Sequence, residues 1–275
     1  RVKMSVTDFN HKVAAITGAG SGMGQSLAVL LARAGCHIAI SDLNAEGLEE
    51  TRAMLNPLVN VSVHVVDVAK REQVEAFAAS ANAAHGKINM IFNNAGVSVT
   101  GLAEKMPYED IEWLMNINFW GVVYGCKSFL PYLREADEAA IINTSSIFGT
   151  IAVPSQSAYN ASKFAVKGYT YALRQELIDS HIGVNCVQPG GVKTNIVNAS
   201  RFIPTDNESA TKQDLVETFS RLARKSPEQA AAIILAGVLK NKARILVGSD
   251  AKIASWIERL APAAYLKLLR MNLTD

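Results

Sequence analysis

Seven short apolar runs, separated by longer amphipathic stretches, constrain this chain of 275 residues more than any other feature. The runs cover residues 13–17, 37–41, 61–66, 88–92, 140–144, 183–187 and 244–247, each about the length of one strand. Between them, residues 22–34, 45–55, 71–84, 108–133, 157–180 and 228–239 read as helices. Within 157–180, for example, Phe164, Val166, Tyr169, Leu173 and Leu177 recur at helical spacing, with Lys167, Arg174 and Glu176 among them. Strand and helix repeated in this way predict an α/β fold: a doubly wound parallel sheet of about seven strands, helices on both faces, joined by right-handed crossovers.

The first strand-to-helix turn is rich in glycine. Gly18, Gly22 and Gly24 follow the run 13–17 and open a helical pattern, the context in which such glycines hold a phosphate. Gly18 suits the tight turn, while Gly22 and Gly24 let the backbone and a helix amino terminus approach a pyrophosphate. Asp42 ends the second run, 18 residues after Gly24, where a carboxylate can accept both hydroxyls of an adenosine ribose. A 2'-phosphate there meets like charge, and Ser41-Asp42-Leu43-Asn44 brings no cation with it. NAD(H) is expected over NADP(H), unless a cation such as Arg33 arrives from elsewhere.

Downstream, Tyr159 and Lys163 stand four residues apart, so on a helix both project from one face and meet the same small group. A free tyrosine, with a pKa of about 10, is a poor base at neutral pH, and an adjacent ammonium favours its phenolate. Ser146 closes this set from the end of the fifth apolar run, where its hydroxyl can stabilise charge on a substrate oxygen. The sequence Thr144-Ser145-Ser146-Ile147-Phe148-Gly149 is not a GxSxG elbow, so a hydrolase is a poor fit. Asn143, Thr144 and Ser145 read as polar groups at a sheet end. The combination predicts hydride chemistry between an alcohol and a carbonyl, with Tyr159 as the acid and base.

These motifs, in this order, resemble the short-chain dehydrogenase/reductase family over residues 12–248, with an NAD-preferring pattern. Thr17-Gly18-Ala19-Gly20-Ser21-Gly22-Met23-Gly24 resembles its TGxxxGxG element, Asn93-Asn94-Ala95-Gly96 its NNAG element, and Tyr159-Asn160-Ala161-Ser162-Lys163 its YxxxK element. Asn118, in Asn118-Phe119-Trp120-Gly121, matches the family's catalytic asparagine, and Ser146 lies the usual 13 residues before Tyr159. The resemblance implies a Rossmann fold, a dinucleotide held by Gly18, Ser21, Gly22, Met23, Gly24, Asp42, Leu43, Asp67, Val68, Asn94, Ala95, Gly96, Tyr159 and Lys163, and a nicotinamide held near Pro189, Gly190, Val192 and Thr194. It also implies that Lys163 holds the nicotinamide ribose, that Asn118 holds water in a proton relay, and that the chain forms a homo-oligomer, commonly a tetramer through its long helices. Positions beside the motifs, Ser98, Ser146, Phe148, Gly191, Asn198 and Phe202, are expected to face a substrate that is a secondary alcohol or ketone with a lipophilic body. An epimerase or lyase using the same nucleotide without net oxidation, and a nucleotide sensor, are the competing readings.

Composition narrows the field. The net charge of +2 carries no long basic block, which argues against a nucleic-acid partner, and 49% hydrophobic with 19% charged residues suit a packed core. Cys36, Cys126 and Cys186 lack CxxC spacing and read as reduced, buried thiols of a cytoplasmic protein. The five histidines read as scattered, and no metal site is expected. No apolar run is long enough to cross a bilayer, and residues 1–11 form a short polar extension without a signal-peptide core. Residues 195–227 break the rhythm with polar residues and Pro204, which predicts a substrate lid. The tail, 249–275, carries apolar faces at Ile253, Trp256, Ile257, Leu260 and Tyr265, expected to pack on its own domain or a sister subunit. Shallow membrane docking through Lys252, Arg259, Lys267 and Arg270 is the weaker expectation.

Overall fold

The computed structural model describes residues 5–197, 199–204, 212–214, 216–217 and 223–266. Seven strands form one parallel sheet: β1 Val13–Thr17, β2 His37–Asp42, β3 Val61–Val65, β4 Met90–Asn93, β6 Ala139–Thr144, β7 Ile182–Pro189 and β9 Arg244–Val247, in the order β3-β2-β1-β4-β6-β7-β9. The chain winds outward from β1 in one direction and then from β4 in the other. This reversal places a crevice at the carboxyl ends of β1 and β4, the position where doubly wound Rossmann sheets bind ligands. Register brings the site residues there together. Val13 lies opposite His37 and Thr17 opposite Ser41, so Gly18 and Asp42 emerge at the same edge.

Alternation along the strands divides the core in two. Ile16, Ile38, Ile40 and Phe92 pack under Leu27, Leu31, Ile234 and Leu235 of α1 Gly22–Arg33 and α7 Pro227–Leu239. On the other face Ile91, Ile141 and Val184 meet Phe77, Phe129, Val166 and Leu173 of α3 Arg71–His85, α5 Gly121–Glu135 and α6 Ser157–Glu176. Each such side chain contributes roughly 1.5–3 kcal/mol on burial. At the start of α7, Ser226 and Gln229 form a reciprocal capping box, with Pro227 at the first helical position. The remaining helices are α2 Ala45–Met54, α4 Tyr108–Met115 and α8 Ser249–Leu260.

Several elements differ from the sequence expectation. The helix expected over 108–133 is α4 and α5 joined by a π-helical turn, Asn116–Trp120, and the segment expected over 157–180 ends as a helix at Glu176. A separate two-stranded pair, β5 Val99–Thr100 with β8 Arg201–Phe202, ties the start of the polar segment 195–227 to the chain after β4. The tail helix α8 does not bury its large apolar side chains. Ala251 and Ser255 face the protein, while Ile253, Trp256, Ile257 and Leu260 are 59%, 61%, 42% and 75% exposed. The histidines are not all scattered: Ser62 Oγ sits 2.9 Å from Nε2 of both His64 and His85. Among the described residues no group of His, Cys, Asp or Glu is placed to hold a metal ion, and no helix is long and apolar enough to cross a membrane. All three cysteines are free and buried, and burial pushes each thiol up to about 12.

Candidate active site

The crevice is a cleft of about 280 Å³ whose walls include Gly18, Ser21, Gly22, Met23, Asp42, Leu43, Asp67, Val68, Asn94, Ala95, Gly96 and Thr194. All of these were expected from sequence. Val66, Val97, Ile117, Asn195, Ile196 and Ala199 also line it and were not; they are apolar or unremarkable in type and carry no motif of their own.

The floor is built by close backbone approach. Gly18 has φ +66°, and a Cβ there would lie 2.7 Å from Ala95 Cα; a Cβ on Gly24 would collide with the Gly18 carbonyl. Only glycine lets β1, α1 and the chain after β4 meet so closely. Asn94 locks this junction, donating from Nδ2 to the carbonyls of Thr17 and Gly18, each at 3.2 Å. The amino terminus of α1 has no acidic residue in its first turn and no side-chain cap, so its N–H groups and positive dipole end are free to meet an anion. At the far wall the Asp42 carboxylate is fixed, accepting from Gly20 N at 2.9 Å and from Asn44 N at 3.0 Å.

These residues fit a dinucleotide. Asn94 Oδ1 is buried in the cleft wall and has no partner among the described residues, so a ligand hydroxyl would satisfy it. The carboxylate of Asp42 keeps lone pairs for a ribose diol. Arg33, the cation considered for a 2'-phosphate, pairs with Glu228 at 3.6 Å, at the opposite end of α1 from Gly22, about 16 Å along the axis.

The catalytic candidates Ser146, Tyr159, Lys163 and Asn118 do not themselves line this cleft, nor do Gly24, Pro189, Gly190 and Val192; the catalytic set converges behind its Gly96 wall. Ser146, at the start of a 3₁₀ turn Ile147–Gly149, accepts from Phe148 N at 3.1 Å and hydrogen-bonds Tyr159. Lys163 is buried, donates from Nζ to the Thr144 carbonyl at 3.2 Å, and lies 5.6 Å from the Tyr159 ring centroid. Ser145 donates to the Lys163 carbonyl at 2.7 Å, and Asn143 is buried between Asn93 Nδ2, at 2.8 Å, and Thr170 Oγ1, at 3.0 Å. These two brace α6 against β6 and are more than sheet-end polar groups. Gly96 leaves the space in which Asn118 Oδ1 and Lys163 Nζ approach.

Two details bear on the expected roles. In the unliganded protein burial pushes Tyr159 up to about 12, against which the Ser146 hydrogen bond acts. Lys163 gives one of its N–H donors to the Thr144 carbonyl and is itself brought down to about 8 by burial. Asn118 sits in the π turn, with both amide protons committed, to the Val97 carbonyl at 3.0 Å and Ser162 Oγ at 3.1 Å, while its Oδ1 accepts from Val97 N at 2.8 Å. Any water it holds is not held by those protons.

The expected substrate positions are distributed unevenly. Phe148 meets the Tyr159 ring edge-on, 6.2 Å between centroids. The Ser98 carbonyl, just before β5, accepts from Arg201 N at 3.1 Å, and Phe202 lies in β8 opposite Thr100. Gly191 follows β7, and Asn198 lies outside the described residues. Val192 bridges to Lys225, and Pro189 ends β7 opposite Val247. Two contacts had no sequence signal: Asp250 bonds Gly191, and Tyr265 bonds Ala152.

Fold and site together define a nucleotide-dependent oxidoreductase. The short chain dehydrogenase family profile matches residues 12–202, and the chain belongs to that family. It is 42% identical over 268 residues to the oxidoreductase SadH of Mycobacterium tuberculosis, covering 96% of each. It is 36% identical over 213 residues to the 3-ketodihydrosphingosine reductase of Bacteroides thetaiotaomicron, covering 75% of this chain and 72% of that one. Among solved structures, a short chain dehydrogenase/reductase from Burkholderia phymatum in complex with NAD superposes with a TM-score of 0.85 at 29% identity, covering 92% of this chain and 95% of that one.

Proposed function

We propose that this protein interconverts a lipophilic secondary alcohol and its ketone with NAD(H). The observation that carries the reading is the convergence of Ser146 and Lys163 on Tyr159 behind the Gly96 wall of a cleft that also holds the fixed carboxylate of Asp42. A dinucleotide bound along that cleft supplies the hydride acceptor or donor. Asp42, Leu43, Asp67 and Val68 hold its adenosine end, the amino terminus of α1 its pyrophosphate, and Thr194 with Lys163 its reactive end.

In ketone reduction, Tyr159 keeps its proton to about pH 12 in the unliganded protein, so a phenol O–H stands ready to protonate the forming alkoxide. Ser146 donates to the same substrate oxygen and stabilises the charge that develops there. In alcohol oxidation the phenol must first lose its proton, which requires positive charge beyond what the apoprotein brings to the ring. Lys163 supplies part of it once a ligand displaces its bond to Thr144. NAD(H) is preferred because Asp42 is held in place and Arg33 is held away. A lipophilic substrate suits the surroundings of Tyr159, where Val97, Val99, Met106, Trp113 and Ile203 form the third apolar cluster. The relative named a 3-ketodihydrosphingosine reductase supports the same class.

The test is absorbance at the NADH wavelength with purified protein, NAD+ or NADP+, and a panel of lipophilic secondary alcohols. Turnover with NAD+ exceeding that with NADP+, and lost at least a thousandfold in Tyr159→Phe, is the expected outcome. Substrate conversion without NADH accumulation would replace it with epimerase or lyase chemistry.

A further inference from the structure

The family profile ends at residue 202, yet the chain beyond it reaches back to the active site at two points. In the first turn of α8, Asp250 Oδ2 accepts from Gly191 N at 2.6 Å. The contact is built into three glycines: a Cβ on Gly190 or Gly248 would collide with the Asp250 carboxylate, and Gly191 supplies the donor. Gly248 takes φ +105°, which side chains rarely adopt, so the turn into α8 is shaped to deliver Asp250 to this place. Further along, the Tyr265 hydroxyl accepts from Ala152 N at 3.1 Å, in the loop that follows Ser146 and Phe148.

Gly191 matters because of where its chain goes. After β7 the backbone passes Gly190, bonded to Val247 O at 2.9 Å, and runs through Lys193, bonded to Lys225 O at 2.9 Å, to Thr194, Asn195 and Ile196 in the cleft wall. Gly20 packs against Asp42 at the adenosine end and Gly22 against Thr194, where a Cβ would lie 3.3 Å from Thr194 Cγ2, so this wall lies on the side of the phosphate turn away from the adenosine. The geometry points to Asp250 as a positioning residue: its carboxylate fixes the Gly190–Gly191 turn and thereby sets the wall against which the nicotinamide half of the cofactor is bound. The inference rests on the dinucleotide reading above. A charged acceptor suits the task, since a hydrogen bond to a carboxylate is about twice as strong as one between neutral groups.

Calorimetric titration with NADH and with ADP-ribose, which lacks the nicotinamide, tests this without turnover. The Asp250→Ala protein is expected to bind NADH roughly tenfold more weakly while its ADP-ribose affinity stays within about twofold of wild type. Asp250→Asn keeps the volume against Gly190 and Gly248 and a neutral acceptor, and is expected to lose about threefold for NADH alone. It serves where Asp250→Ala does not fold. Equal losses for both ligands would show a structural role only and overturn the proposal, as would unchanged NADH affinity in both variants. A wild-type protein that binds neither ligand would instead overturn the dinucleotide reading itself.

Discussion

Lys163 is an amine held almost out of water against the Thr144 carbonyl, and burial lowers it from its ordinary 10.5 to about 8. Between those values the unfolded chain binds a proton that the folded chain has released, so the stability attributable to this group rises with pH. Below pH 8 both states are protonated and the burial cost is constant. The expected result is that wild type gains about 2 kcal/mol relative to Lys163→Met between pH 7 and pH 9.5, measured by urea unfolding of the apoprotein. The double difference cancels the loss of the Thr144 bond, which does not titrate. Tyr159 has the opposite sign, because its folded value of about 12 exceeds the ordinary 10 and its stabilising contribution is lost as pH rises through that window. Keeping the measurement below pH 10 separates the two. A wild-type-to-variant gap that does not move would mean that Lys163 is solvated, and the proton-holding environment around Tyr159 would need revision with it.

Among the elements, the β5–β8 pair joins the chain after β4 to Arg201–Phe202 at the start of the polar segment. Arg201 joins Asp110 at 2.6 Å and lays its guanidinium 3.7 Å over the Trp113 ring, clamping β8 to α4. Both contacts are partly exposed, so together they hold β8 against α4 by about 1–2 kcal/mol. Arg201→Ala is therefore expected to raise deuterium uptake at residues 199–204 roughly tenfold while leaving α1 unchanged, and to raise substrate KM more than it lowers kcat. Unchanged exchange at 199–204 would show that backbone pairing alone secures β8. Sequence made the strands of the main sheet legible because Val, Ile and Ala fill both faces of a buried parallel strand, as in β1 and β6. It did not separate α4 from α5, since the π turn at Asn118 leaves the apolar period nearly intact. The motif residues of the cleft were legible because glycines at close backbone approaches and a strand-end carboxylate follow local rules. Arg201 with Asp110, 91 residues apart, and Asp250 with Gly191, 59 apart, were not, because such pairs exist only once the topology has brought their elements together.

At the scale of the whole molecule, two groups of neighbouring apolar side chains stand uncovered among the described residues, the kind of surface that marks an interaction site. One is aromatic: Trp120 stacks on Tyr124 at 5.9 Å between centroids, and Trp120 and Phe164, 44% and 40% exposed, belong to neighbouring helical segments, with Lys167 over the Phe164 ring. The other is the outward stripe of α8, Ile253, Trp256, Ile257 and Leu260. Long helices side by side offer the flatter, larger face, and two copies related by a twofold axis would bury the aromatics against each other. Sedimentation velocity at micromolar concentration is expected to show an oligomer, and Trp120→Glu with Phe164→Glu to reduce its mass at least by half. NADH affinity should change by less than about threefold, because Asp42 and the α1 amino terminus lie across the sheet from this face. An unchanged mass in that variant would move the interface to α8, where Trp256→Glu with Leu260→Glu should then dissociate it. That second result would have a chemical consequence the first lacks: the helix carrying Asp250 would be held by a neighbouring subunit, and cofactor affinity would depend on protein concentration.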